Sequence, residues 1–340
     1  MKQFPILAMT MAMAAAVPAH GQDSVAMSGI LDTYLDASRA GDAHATRVQS
    51  GGISGSRISW RGGEDLGGGN RAIFLLEAGI NMDDGSSGQG GILFGRQAWV
   101  GLAGPAGELT LGRQYSPNFY TIVTYGLGGG LAWGNASNYF TDNSPLRVNN
   151  AISYASPSMA GFKVRAFMTL GENTTQPGGT NIGAIHSGSL QYDSGPLSAG
   201  IAVESRKTAL ANTERFYAAG ASYRFTGFKL GILGQGRRDD IGATASDAIE
   251  LGVSIPLGMG SLLLDAGRFR HRDVTDGDAT ALSVRYDHNL SKRSMIYVGA
   301  AQIRNQARAR FGINGNTGPA LAVSPGADPR SVILGVRHLF

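Results

Sequence analysis

Six histidines and no cysteine bound the chemistry open to this chain. His20, His44, His186, His271, His288 and His338 are scattered, and none sits at metal-ligand spacing with another His. Nucleophilic catalysis needs a Ser, Thr or Cys beside an activating base, and no such constellation is recognisable. The chain therefore reads as a non-enzyme with no cofactor and no resident metal. Gly126-Leu127-Gly128-Gly129-Gly130 imitates a phosphate-cradling loop in composition only, because it lacks the Lys and the strand–loop–helix setting. The stretch that holds those glycines is more telling. Residues 116–146 make a connection far longer than the roughly 2–5 residues of an ordinary hairpin loop, which argues for a functional role. It carries Tyr120, Tyr125 and Trp133, and its first carboxylate is Asp142.

Such a loop has to hang from rigid elements, and the rest of the chain alternates with the period of a strand. In 330–340, Val332, Leu334, Val336, His338 and Phe340 share one face, while Ser331, Gly335 and Arg337 share the other. Residues 249–257 set Ile249, Leu251, Val253, Ile255 and Leu257 against Glu250, Gly252, Ser254 and Pro256. Sixteen strands are expected, near 25–39, 53–66, 69–82, 92–104, 106–115, 147–156, 161–171, 184–194, 197–206, 214–226, 228–238, 247–256, 260–271, 279–290, 293–304 and 330–340. Short turns alternate with longer loops along this series. That is the signature of an even-stranded transmembrane barrel with both termini on the periplasmic side.

Alternation alone does not distinguish a membrane barrel from a soluble sandwich. Three features do. Residues 1–21 read as a cleaved secretory signal, with an apolar stretch from Phe4 to Val17 that is too short to span a bilayer. The barrel would then occupy 22–340, about twenty residues per strand including its turn. Tyr154, Tyr192, Tyr223, Phe225, Phe228, Tyr286 and Phe340 fall beside the short turns, as an interfacial girdle would. Fifty-one glycines suit curved strands and a lumen that needs space. A formal net charge of +4, with charged residues only 16% of the chain, gives no case for nucleic acid.

Five segments in order, SGSRISWRGGEDLGGGNRAIFLLEAGIN (54–81), LFGRQAWVGLAGPAGELTLGRQYSP (93–117), RVNNAISYASPSMAGF (147–162), YDSGPLSAGIAV (192–203) and LGVRHLF (334–340), resemble the trimeric general porins of Gram-negative bacteria, most closely the β-proteobacterial type. The resemblance implies an all-β fold, a sixteen-stranded antiparallel transmembrane barrel whose long third outer loop folds into the lumen. It further implies location in the outer membrane, with Phe340 and His338 in the terminal assembly strand. The implied activity is passive diffusion of ions and small hydrophilic solutes. The implied partners are two further copies of the chain in a homotrimer, outer-membrane lipid and lipopolysaccharide. Small residues (Ala26, Gly29, Gly335) on the first and last strands would permit close approach of subunits. A channel preferring sugar or phosphate is the second reading.

In the family a ladder of basic side chains faces the third loop. Arg57, Arg96 and Arg147 match its positions, with Arg61 and Arg113 as further lumen candidates. The alternation agrees for Arg57, which shares a polar face with Ser59 and Arg61, and for Arg147, which shares one with Asn149 and Ser153. Enteric relatives oppose these arginines with loop carboxylates, whereas 116–141 contains no Asp or Glu. A basic constriction without opposing acids raises the local concentration of anions, so a weak anion preference is expected. Glu77, Glu64, Asp65 and Glu204 are the carboxylates that could offset it.

Overall fold

The structure is a computed structural model that describes residues 24–127, 130–141, 144–171, 182–209, 212–242 and 244–340. The expected signal segment and Asp142 lie outside those residues. The strands of the first half are β1 (Ser24–Ala40), β2 (Ala43–Ser50), β3 (Arg57–Gly67), β4 (Asn70–Gly79), β5 (Gln97–Gly104), β6 (Gly107–Tyr115), β7 (Arg147–Ala155) and β8 (Phe162–Thr169). The second half holds β9 (Ile185–Ser194), β10 (Leu197–Ala209), β11 (Asn212–Arg224), β12 (Lys229–Asp239), β13 (Ala245–Leu257), β14 (Gly260–His271), β15 (Ala279–Asn289), β16 (Ser294–Asn305) and β17 (Pro329–Leu339). Two helices, α1 (Pro117–Tyr125) and α2 (Ala136–Tyr139), fall within the long connection between β6 and β7.

All pairings are antiparallel, and β1 pairs with β17, so the sheet closes on itself. β1 takes β2 along Thr33–Ala40 and β3 along Ser24–Ile30, both on the same edge. β2 and β3 are therefore one barrel strand interrupted at 51–56, and the seventeen segments make a sixteen-stranded barrel. Residues 40–52, the gap between the first two expected strands, are not a loop: the turn is only Gly41-Asp42, and 43–50 is strand. Its sequence, AHATRVQS, carries little apolar alternation, because this end stands above the apolar belt and has no lipid face to satisfy. β5 likewise starts at Gln97 rather than near 92, after a short 3-10 turn at Gln89–Gly91.

Closure uses the last residue. Gly29 donates its N–H to the Phe340 carbonyl at 2.9 Å, and Phe340 donates back to Gly29 at 3.1 Å. No free edge remains to recruit another chain. The Phe340 ring lies over Gly29, where an added Cβ would stand 2.3 Å from it. Gly29 is thus covered by the chain's own terminus. Gly335 turns inward onto Tyr297, and Ala26 lines an inner cavity with Arg61 and Glu108. None of these three small residues offers a bare outward site for subunit packing.

The two faces of the sheet are inverted relative to a soluble protein. Ile201, Val203, Ile249, Leu251, Leu282 and Leu334 are about half exposed, while Asp32, Asp36, Glu204, Glu250, Asp265 and Arg285 are buried on the other face. Apolar residues facing out and charges facing in require lipid outside and water or chain inside. The girdle forms at the short-turn end, where Phe162–Tyr192, Tyr223–Phe225 and Phe225–Phe228 pack with ring centroids 4.6, 4.6 and 4.5 Å apart. Tyr154 and Tyr286 donate their hydroxyls to the turn carbonyls of Ala106 and Leu257, at 2.6 and 3.2 Å. Leu251→Arg, in mid-strand on the lipid face, is expected to destabilise the folded barrel by about 2–4 kcal/mol. Denaturant titration of the protein in vesicles measures it; an unchanged midpoint would place Leu251 off the lipid face.

Candidate functional site

Three arginines meet where β3, the β4–β5 connection and β7 approach one another. Arg96 donates Nε to Glu77 Oε1 at 2.8 Å, and Arg57 Nε lies 3.4 Å from Glu77 Oε2. Ser59 donates to the same carboxylate at 2.9 Å, which fixes its orientation. Tyr115 links the remaining members: its hydroxyl accepts from Arg96 at 2.9 Å and from Arg147 at 3.1 Å, and the Arg147 guanidinium lies 4.9 Å from its ring centroid. Three cations against one carboxylate leave a net charge of +2 in this group. Among the described residues, Arg96 Nη1 and Arg147 Nε find no hydrogen-bond partner. The arginines border a cavity of about 280 Å³ whose opposite side is Phe119, Val123 and Leu131. Among the described residues the facing surface carries no carboxylate.

That facing surface belongs to the 116–146 connection. Ser116 caps α1 by accepting from the Phe119 N–H at 3.2 Å, and Pro117 occupies the first turn, where its missing donor costs nothing. Phe119, Ile122 and Tyr125 are buried against inward residues of β10 to β12, among them Ala202, Ala218 and Leu233. The wall makes room with glycine. A Cβ on Gly220 would stand 2.4 Å from Tyr125, on Gly252 2.5 Å from Leu127, on Gly267 2.1 Å from Ala136, and on Gly299 2.5 Å from Trp133. Gly220→Val is expected to push Tyr125 and α1 toward the arginines and lower single-channel conductance. A conductance equal to wild type would mean that α1 does not narrow the channel.

The wall also supplies acids, which the loop lacks over 116–141. Glu250 accepts from the Leu127 N–H at 3.0 Å and the Ser137 N–H at 2.5 Å, and Asp265 accepts from the Ala136 N–H at 2.9 Å. These carboxylates pin α2 and its approach to the wall opposite the arginines. Trp133 is buried, donating its backbone N–H to Gly52 at 2.8 Å and its indole N–H to Ser331 at 3.3 Å. The 51–56 interruption reaches it because Asp32 accepts from the Gly52, Ile53 and Ser54 N–H groups at 3.0, 3.2 and 2.8 Å, and from Tyr297 at 2.6 Å. The last outer loop joins the same junction, with Asn316 donating to the Leu131 carbonyl at 2.6 Å.

Measured against the sequence expectations, Arg57, Arg96 and Arg147 come together. Arg61 does not: it lies four residues toward the periplasmic end, about 13 Å along the strand, beside Arg71, Trp99 and Glu108. Arg113 also stands apart, donating to the Gly95 carbonyl at 2.8 Å and to Asn149 at 2.5 Å, beyond an irregularity in the β6–β7 register. Trp133 and Tyr125 are anchors rather than lining residues, whereas Tyr120 is half-buried with Arg165 at 4.4 Å over its ring. Glu77 sits among the arginines instead of across from them. Tyr115, Arg165, Glu250 and Asp32 were missed, although the inward parity of Arg165 and Glu250 is readable from their strands. His338 accepts or donates a 2.8 Å hydrogen bond with Ser294 at the outer face of the terminal strand.

A model of the Gram-negative porin family matches residues 8–308. The chain is 34% identical to outer membrane porin protein 32 of Delftia acidovorans over 96% of its own length and 97% of that protein. It is 30% identical to an outer membrane porin protein of Bordetella pertussis over 85% of its length and 91% of that protein. Among solved structures, the anion-selective porin from Comamonas acidovorans superposes with a TM-score of 0.85 at 31% identity, covering 94% of this chain and all of that one. OmpT of Vibrio cholerae, in its trimer form, shares the fold with a TM-score of 0.71 at 13% identity, covering 94% of this chain and 99% of that one. A closed barrel with apolar residues outside and charge inside, matched over nearly its whole length by outer-membrane porins, makes this chain a member of the Gram-negative porin family.

Proposed function

We propose that the channel prefers small anions, and that Arg57, Arg96 and Arg147 set this preference at the narrowest point, bounded on the other side by the 116–146 loop. The observation that carries the reading is the unequal charge of the two sides: a net +2 group faces Phe119, Val123 and Leu131 rather than carboxylates. In a narrow gap with an apolar wall, field lines are focused through the opening and counter-ions concentrate there. Wall acids on the far side are engaged by loop N–H groups and contribute less free field. The relative described as an anion-selective porin supports the same direction. Arg61, Arg71 and Arg165 extend a basic lining toward the periplasm. Export through a cleaved signal at residues 1–21, assembly as a homotrimer and contact with lipopolysaccharide complete the reading.

Liposome swelling tests it. Vesicles carrying the protein should admit a monocarboxylate faster than a neutral solute of similar size, and a small organic cation slowest. Equal rates for all three would leave a porin without charge preference. Block of the flux by one sugar would make it a substrate-selective channel.

A further inference from the structure

The inner wall near the periplasmic mouth carries charges that the constriction does not use. Strand register sets them in rows. Arg61, Leu75 and Trp99 stand side by side on β3, β4 and β5. Toward the periplasm follow Gly63, Ile73 and Gly101, and then Asp65, Arg71, Ala103 and Glu108, the last on β6. Successive rows differ in height by about 7 Å, and Arg71 and Glu108, two strands apart, are separated by about 9–10 Å. The two glycines leave a hollow of about 300 Å³ bordered by Arg61, Arg71, Ile73, Trp99 and Glu108. Its size is that of a small-molecule site.

A Cβ on Gly63 would stand 2.5 Å from the Arg71 guanidinium, so this side chain leans toward Arg61 and away from Glu108. Among the described residues, Arg61, Arg71 and Glu108 form no ion pair and no side-chain hydrogen bond. Asp65, opposite Arg71, accepts instead from the Gly67 N–H of its own turn at 2.9 Å. The Trp99 indole N–H is engaged by Gln97 at 3.2 Å, so Trp99 offers the hollow apolar surface. Two cations, one carboxylate and an indole thus surround one space without satisfying one another.

We propose that this hollow is a saturable binding site for zwitterionic amino acids with a large apolar side chain. The carboxylate lies against Arg71 and Arg61, the ammonium against Glu108, and the side chain against Trp99 and Ile73. Charge-assisted hydrogen bonds hold both ends of the head group, and the side chain leaves water for the indole. A simple anion would meet Glu108, and a neutral sugar would compensate none of the three charges. The site begins about 13 Å below Arg57 along β3, and it operates whichever ion the constriction prefers.

Current fluctuations through the full-length protein in planar bilayers test the site, at neutral pH and in about 0.1 M KCl to limit screening. L-Phenylalanine is expected to interrupt the current saturably. Glycine, glucose and 3-phenylpropionate should do so at least about tenfold more weakly, the scale of one charge-assisted hydrogen bond or one buried side chain. E108Q is expected to reverse the order of the two aromatic solutes: L-phenylalanine weakens roughly tenfold, and 3-phenylpropionate, relieved of the carboxylate, binds more tightly. W99L should bring L-phenylalanine close to glycine. Heat-modifiable migration reports that each variant folds, and a reversed preference is not a consequence of misfolding. Equal interruption by all four solutes in wild type, or an unchanged order in E108Q, overturns the proposal. Tighter binding of 3-phenylpropionate than of L-phenylalanine in wild type would replace it with an aromatic-anion site. Block by glucose that E108Q leaves intact would replace it with a sugar site. The reversal potential enters none of these outcomes, so the anion preference stands or falls separately.

Discussion

Replacing Arg57, Arg96 and Arg147 together by Gln is expected to turn an anion-preferring channel into a cation-preferring one. The group then passes from a net +2 to the single negative charge of Glu77. A unit charge acts on an ion about 4 Å away with about 1 kcal/mol even at the dielectric of water. Each arginine is therefore expected to change the anion-to-cation permeability ratio by roughly fivefold, and the three together by at least about tenfold. Part of the side chain of Arg57 is open to water, so full additivity is not expected. Glu77 makes the sign testable in both directions. E77Q alone removes the offsetting carboxylate and should increase anion preference, whereas the triple variant combined with E77Q should discriminate little. An unchanged reversal potential in the triple variant would locate the selective region elsewhere.

The second large effect belongs to Glu250. Its removal in Glu250→Ala leaves the Leu127 and Ser137 N–H groups without an acceptor inside the protein, at about 1–3 kcal/mol for each buried orphan. The barrel strands keep their pairing, so the expected change is in the loop. Single-channel conductance should rise, open-channel noise should increase, and the heat-modifiable migration of the barrel should alter little. Gly220→Val acts on the same loop at Tyr125, two positions from Leu127, with the opposite sign. A quiet channel of wild-type conductance in Glu250→Ala would show that the loop is held by other contacts, such as Asp265 with the Ala136 N–H.

The barrel was legible because its requirement is local. Each lipid-facing strand must alternate, and β13 or β17 shows this without reference to any other part of the chain. The interruption at 51–56 was not legible, since it depends on Asp32 turning inward to collect three N–H groups from a segment about twenty residues away. Alternation likewise marks Arg57 and Arg147 as inward, and it is the family resemblance, not spacing, that groups them with Arg96 in one ladder. Their meeting depends on Tyr115 and Glu77, whose side chains bridge separate strands. Arg61 shares its parity with Arg57 yet lies too far down the strand to join them. The lack of Asp and Glu in 116–141 was readable directly. What replaced them was not: wall acids that accept from loop backbone, and glycines on four wall strands that leave the loop its space.

The zero-current potential of the wild-type channel across a tenfold KCl gradient, in planar bilayers and at low ionic strength, tests the central claim most directly. With a Debye length of about 10 Å at 0.1 M and about 3 Å at 1 M, the fixed charge of the arginine group should be felt across the opening only in dilute salt. The expected result is a potential on the chloride side that shrinks as both solutions are concentrated. A potential on the potassium side, or one of either sign that salt leaves unchanged, would contradict a channel governed by these arginines.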